Sequence, residues 1–380
     1  MRRIRNVEAA AIGAACLVFF IAGCSGQKTS STTPAPPSAS PPPAQPVSTD
    51  TLAPATVHPD ESGVIPVLSF RDIVSGPKAP AGDVTVDDFK KDLDWLYAHD
   101  YRPVSLTDMA LGKVDCPARS SPVVITFAEG LPGQYRIGAD GNTDPNCAIA
   151  ILEAFNSEHS DWPLKGTFFV DADSAAKKSE FGSTNATDYK IEHLTADGFE
   201  LGCSVPPSES KTDSVLTNTL AHSVTILATD NKDSTVAAFI QSGAYPHDLD
   251  VLKSGMVVVK SKMPNHGPAP MGGPAHPMMP PAVSHPLTYT TSCAVTSGNK
   301  CSYSPASTKF DPYHIPSIAI SSAFGVDAAL KALPNAFVSD GDPTTILVPE
   351  SEKSQVTDKL LTPNGVSIKT YPPAITASSK

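Results

Sequence analysis

The sequence predicts an α/β fold in which parallel strands alternate with helices and curl into a distorted barrel. Three observations carry this. Short apolar runs with strand character recur between residues 64 and 260. Segments with helical spacing separate them. A strand–helix–strand order implies parallel neighbours joined by right-handed crossovers, and this many units favour a closed or distorted barrel over an open sheet. In such barrels the chemistry sits at the carboxyl ends of the strands.

The elements follow in chain order. Residues 64–70 are apolar and strand-like. Thr85 reads as the N-cap of a helix with Val86, Phe89, Leu93, Leu96 and Tyr97 on one face. Residues 122–127 form a buried strand, 148–155 a helix and 166–170 a strand. A short helix over 191–196 ends near Gly198. Residues 199–204 read as a strand, 216–227 as a helix, and 235–240 and 255–260 as further strands. Trp95 and Trp162 read as core residues.

Ahead of this domain the chain carries an export signal. Arg2, Arg3 and Arg5 precede an apolar run over 9–22 that is too short to span a bilayer and ends in small residues. Ile-Ala-Gly-Cys at 21–24 is similar to the bacterial lipobox, in which the cysteine thiol is acylated and the peptidase cuts before it. Residues 1–23 are therefore a lipoprotein signal peptide and Cys24 the lipidation site. The expected location is extracytoplasmic, anchored to a membrane of the cell envelope. Residues 24–62 hold nine prolines and no aromatic residue. Such a segment buries too little apolar surface to offset its ordering entropy, so it reads as a disordered tether.

The folded part is then a domain over 63–350, followed by a C-terminal segment over 351–380 that is a candidate for packing on it. The formal charge of −11 argues against a nucleic-acid partner. Of seven cysteines, Cys16 leaves with the signal. Export permits disulfides. Cys293 with Cys301, and Cys116 with Cys147, are the candidate pairs, which leaves Cys203 as the odd thiol. Spacing does not fix connectivity. Cys203 reads as a buried thiol or disulfide half ahead of a thiolate nucleophile or ligand.

A set of collinear segments resembles the polysaccharide deacetylases, the NodB-homology family also called carbohydrate esterase family four. They are Pro-Val-Leu-Ser-Phe-Arg-Asp-Ile at 66–73, Tyr-Arg-Pro-Val-Ser-Leu-Thr-Asp at 101–108, and Val-Ile-Thr-Phe-Ala-Glu-Gly at 124–130. Lys-Gly-Thr-Phe-Phe-Val at 165–170, Gly-Phe-Glu-Leu-Gly at 198–202, Ala-Tyr-Pro at 244–246 and Phe-Asp-Pro-Tyr-His-Ile-Pro at 310–316 continue the order. The resemblance implies a distorted (β/α) barrel of the deacetylase type. It also implies a site in which one Asp is the base, and a second Asp with two His holds a zinc-type metal.

This chain departs from that pattern where the chemistry lies. The base position is Ala128 and the metal-Asp position is Glu129. The two histidine positions are Ser204 and Ser208, and no histidine lies between His193 and His222. Arg71 stands where the opening strand of the family has His. Hydroxyls are poor ligands for zinc-type ions beside imidazole. No cofactor is expected at the family site. Tyr245 and His247 are candidates for lining a sugar groove or for plain surface, and Glu129 is equally a loop acid.

A Met/His/Pro-rich insertion over 263–288 holds Met263, His266, Met271, His276, Met278, Met279 and His285. Thioether and imidazole suit copper, and a low-complexity loop with incidental ligands is the plainer reading. The sequence therefore reads as a lipid-anchored, deacetylase-like envelope protein with an impaired site, acting as a binding or accessory module on envelope polysaccharide or peptidoglycan. An active deacetylase or esterase with a rebuilt site, and a copper-handling lipoprotein, are the alternatives.

Overall fold

Strand and helix alternate because two apolar periods alternate along the chain, 2.0 in the strands and 3.6 in the helices. The structure is a computed structural model. It describes residues 59–171, 180–182, 187–205, 214, 233–240, 255–259, 285–297, 300–331, 333 and 335–372. These residues all fall in one of two compact units, Ala55–Lys380. The first half runs β1 (Val67–Phe70), β2 (Ile73–Val74), β3 (Val84–Thr85), α1 (Val86–Ala98), β4 (Tyr101–Pro103), α2 (Leu106–Ala110), β5 (Ser121–Phe127), α3 (Ala148–Glu158), β6 (Thr167–Asp171), α4 (Thr187–Ala196) and β7 (Glu200–Val205). The second half adds β8 (Asp233–Ile240), β9 (Gly255–Val259), β10 (His285–Ser297), β11 (Ile315–Ile320), α5 (Val326–Leu330), β12 (Thr345–Pro349) and β13 (Ser367–Tyr371).

The strand order is β1-β11-β10-β8-β7-β6-β5-β4, and β1 also pairs with β5, so the hydrogen-bonded neighbours form a circuit with β4 and β9 off it. Every pairing within the circuit is parallel. This is the expected α/β architecture with a distorted barrel. The circuit is uneven: β5 and β6 share only Thr126↔Thr167 and Phe127↔Phe168. One strand departs from expectation. β9 pairs with β10 antiparallel.

Alternation sorts the side chains. Leu68, Phe70, Ile125, Phe127, Phe168 and Val170 face the helices and pack with Phe89, Leu93 and Leu96 of α1 and Ile149 and Leu152 of α3. The rings of Phe127 and Phe168 stack at 4.5 Å. Each such side chain contributes about 1.5–3 kcal/mol by leaving water. The intervening Val67, Val124 and Phe169 point to the other face, where Leu106 and Met109 of α2 and Ile346 and Val348 of β12 meet them. Thr85 caps α1, its hydroxyl accepting from the Asp88 amide at 3.1 Å, as expected. Trp162 is buried and Trp95 half-buried.

Three expectations are corrected. The tether was to extend through Ser62, yet Glu61 is 2 % exposed. Its carboxylate accepts from the Leu347 amide at 2.6 Å and the Asp340 amide at 3.0 Å. Folded structure therefore begins before Gly63. The Cys116–Cys147 pair does not form: both thiols are free and buried. They sit in separate clusters on opposite faces of the sheet, out of each other's reach. The Cys301 thiol is also free, so the Cys293–Cys301 staple is absent. Cys203 is buried on β7, its thiol 3.6 Å from the Ser204 carbonyl.

Among the described residues no helix is long and apolar enough to cross a membrane.

Candidate functional site

The carboxyl ends of β1, β5, β6 and β7 lie side by side, with Phe70 opposite Phe127, Phe127 opposite Phe168, and Asp171 opposite Ser204. The residues that follow or close these strands form the rim. Two backbone features shape it. Glu129 and Gly130 take φ of 72° and 56°, so the chain leaves β5 through two left-handed residues. For a glutamate this geometry costs about 1–2 kcal/mol. Gln134, fully buried, then ties the strand ends together: its Nε2 donates to the carbonyls of Arg71 and Ala128, both at 2.5 Å. Its Oε1 is buried without a hydrogen-bond partner among the described residues.

The side chains follow from that frame. The Ala128 methyl is buried among inward-facing apolar residues, and its amide donates to the Phe70 carbonyl at 2.9 Å. Glu129 and Arg71 meet, with Arg71 Nε 3.3 Å from Glu129 Oε2. Arg71 Nη1 also donates to Asp83 Oδ1 at 2.7 Å, and Asp83 is buried. Arg71 is about half exposed and Glu129 one-third. Asp72 turns away from them. Its Oδ1 accepts from the amides of Ile73 at 3.0 Å and Gly133 at 2.8 Å, and burial raises its pKa. A Cβ on Gly133 would lie 1.9 Å from the Ile73 carbonyl oxygen, so this close approach requires glycine.

Arg71, Ala128, Glu129 and Ser204 are thus all at one end of the sheet, the end expected to carry chemistry. Ser204 is buried there, 2 % exposed. Cys24, Ser208, Tyr245, His247 and the Met263, His266, Met271, His276, Met278 and Met279 cluster lie outside the described residues. His285 opens β10, and its side chain is outside them too. Sequence reading missed Asp83, Gln134 and Glu200. The Glu200 signal was its place in the Gly-Phe-Glu-Leu-Gly segment. Asp83 and Gln134 lie outside any motif.

Among the described rim residues, Ala128 and Ser204 offer no imidazole, thiolate or carboxylate to a zinc-type ion. The one group of three metal-ligating side chains close together among the described residues, Glu153, His193 and Asp197, lies elsewhere. At the rim Glu129 and Asp83 are both committed to a guanidinium.

No protein-family model matches the chain, and no curated protein does. Solved structures do. The Streptococcus pyogenes deacetylase PplD, in complex with acetate, is 16% identical over 71% of this chain and 98% of its own, with a TM-score of 0.46. The likeness is to deacetylases. A putative polysaccharide deacetylase from Bacillus anthracis is 11% identical over 71% of this chain and 69% of its own, TM-score 0.43. A polysaccharide deacetylase from Bacillus cereus is 11% identical over 70% and 67%, TM-score 0.42. At these identities the likeness to deacetylases is one of fold, and the chemistry is argued from this chain's own residues.

Proposed function

We propose that this protein is a lipid-anchored, deacetylase-like envelope protein that holds glycan at its rim and does not cleave it. One observation carries the reading: Ala128 stands beside the Arg71–Glu129 ion pair at the strand ends. Removing an acetyl group from an amino sugar needs a Lewis acid, a water made nucleophilic and a base to take its proton. A methyl has no lone pair, so Ala128 takes no proton. A metal bound by Glu129 would sit next to the fixed positive charge of Arg71. The same groups suit binding. Arg71 uses Nε and one Nη1 hydrogen on carboxylates and retains further N–H donors for the hydroxyl or carboxylate groups of a sugar. The lipobox at Cys24 supports the envelope as the place where that glycan is met.

The test is acetate release from a panel of acetylated envelope glycans, with added zinc and with chelator, alongside binding. The reading expects no release above the protein-free blank, and binding that falls several-fold in Arg71→Ala. Chelator-sensitive release, abolished in Glu129→Ala, would overturn it in favour of an active esterase. The anchor is checked separately. Cys24→Ala protein should leave the detergent phase, and if it stays acylated and membrane-bound the anchor is elsewhere.

A further inference from the structure

Away from the rim, two helices of the outer layer bring three ligand-bearing side chains together. Glu153 comes from the middle of α3. His193 comes from α4, and Asp197 follows one turn later. The imidazole nitrogen and a carboxylate oxygen from each acid all lie within 4.8 Å of one another. We infer that Glu153, His193 and Asp197 form a binding site for a divalent transition-metal ion of the zinc type, separate from the strand-end rim.

Three features support it. The first is an orphan acceptor. Glu153 Oε1 is buried and has no hydrogen-bond partner among the described residues. A carboxylate oxygen removed from water without a donor is costly, and a cation supplies what is missing. The second is crowding of like charge. Glu153 and Asp197 each present a carboxylate oxygen within 4.8 Å of the other. Two carboxylates this close need a positive charge between them, either a proton or a metal. His193 faces both.

The third is the orientation of the imidazole. Its Nδ1 lies 2.7 Å from the hydroxyl of Tyr135, which is fully buried, and Thr143 interacts with the same phenol. With Nδ1–H donating to the phenol oxygen, Nε2 keeps a lone pair for a cation held between it and the carboxylates. A partner on the far nitrogen is how protein metal sites fix a ligating histidine. The spacing is also right. His193 Nε2 is 3.4 Å from Asp197 Oδ2, and two ligands at ordinary zinc distances on a tetrahedron are about 3.3 Å apart. Glu153 would complete three protein ligands and leave the fourth position to water. One nitrogen with two oxygens suits a borderline ion better than calcium, which takes oxygen throughout.

A metal-free alternative is well defined. Glu153 would keep a proton, Tyr135 would donate to Nδ1, and Nε2–H would donate to Asp197. Zinc titration of chelator-stripped full-length protein separates the two. The Met/His-rich segment over 263–288 offers other ligands, so the readout is the difference between wild type and variant. Glu153→Gln should bind one equivalent fewer, or bind the last equivalent at least tenfold more weakly. It should also lose the zinc-induced rise in melting temperature, while being no less stable than wild type without metal. Asp197→Asn, on a side chain one-third exposed, should lose the same equivalent and guards against misfolding of the first variant. Unchanged stoichiometry and an unchanged zinc-induced shift in either folded variant would overturn the site.

Discussion

Two glutamates mark the two ends of the sheet, and they are used in opposite ways. Glu200 opens β7 at the amino end. Its carboxylate accepts from Ser105 Oγ at 2.7 Å, Thr167 Oγ1 at 2.8 Å, and the amides of Leu106 at 3.1 Å and Thr107 at 3.2 Å. It thereby caps α2 from a distant segment, satisfying amides that a helix start leaves open. Glu129 stands past the carboxyl end of β5, on a left-handed backbone, with one guanidinium for company. Both come from segments that resemble the same family. What separates a glutamate that holds the fold from one that stands at the rim is the number of donors around it and its distance from water.

The comparison can be broken most directly at Glu200. Glu200→Ala removes the acceptor of two backbone and two hydroxyl donors. It should cost about 4 kcal/mol, at about 1 kcal/mol or more for each donor left unserved. Glu129→Ala should cost under about 1 kcal/mol, as an exposed ion pair does. Urea unfolding of the two variants reads both values, and comparable losses would end the contrast.

Asp92 on α1 sharpens it, as a carboxylate only half served. Its Oδ1 accepts from the Val326 amide at 2.9 Å, capping α5, while Oδ2 is buried without a partner among the described residues. Burial raises its pKa to about 6. The unfolded chain gives up this proton near pH 4 and the folded chain only near 6. Stability should therefore fall as pH rises from about 4 to about 6 and then level off, by at most about 3 kcal/mol. Asp92→Asn should lack that step and melt higher than wild type at pH 7. An identical pH profile in the variant would show that Asp92 is served by something else.

Smaller effects are expected at the rim. Arg71→Ala should change stability by less than about 1 kcal/mol while weakening glycan binding several-fold. A large stability loss would mean that Arg71 belongs to the scaffold. Glu129→Gly should be close to neutral, since relief of the left-handed backbone offsets the lost ion pair. Thermal melting resolves the sign.

Much of the barrel was legible because its signals are local. Thr85 before an apolar stripe fixes the start of α1, and the β-branched run Val-Val-Ile-Thr over 123–126 reads as a buried strand. The rim was readable only through the resemblance, which put Arg71 and Glu129 together; their side chains form an ion pair at 3.3 Å. The rest depended on non-local facts. The antiparallel direction of β9 is a long-range fact that its own residues do not encode. The two cysteines taken as a pair are divided by the sheet, which their spacing across β5 did not reveal. Glu200 looked like a family letter, and its function appeared only when Ser105 and Thr167 arrived from elsewhere. His193 and Asp197 had a readable one-turn spacing, but Glu153 joins them only through the packing of α3 on α4.

The buried Glu61 also has a mechanical consequence. The stretch around Glu61 is stitched to several distant segments. Asp60 exchanges backbone hydrogen bonds with Val338 at 3.0 and 2.9 Å, the Glu61 amide donates to Leu347 at 2.9 Å, Val64 to Asn335 at 2.8 Å and Ile65 to Ser302 at 2.9 Å. Tension applied from the amino side therefore reaches this seam before it reaches β1. The seam lies at the opposite end of the sheet from Arg71 and Glu129, so a pull on the chain can be borne without tilting the rim.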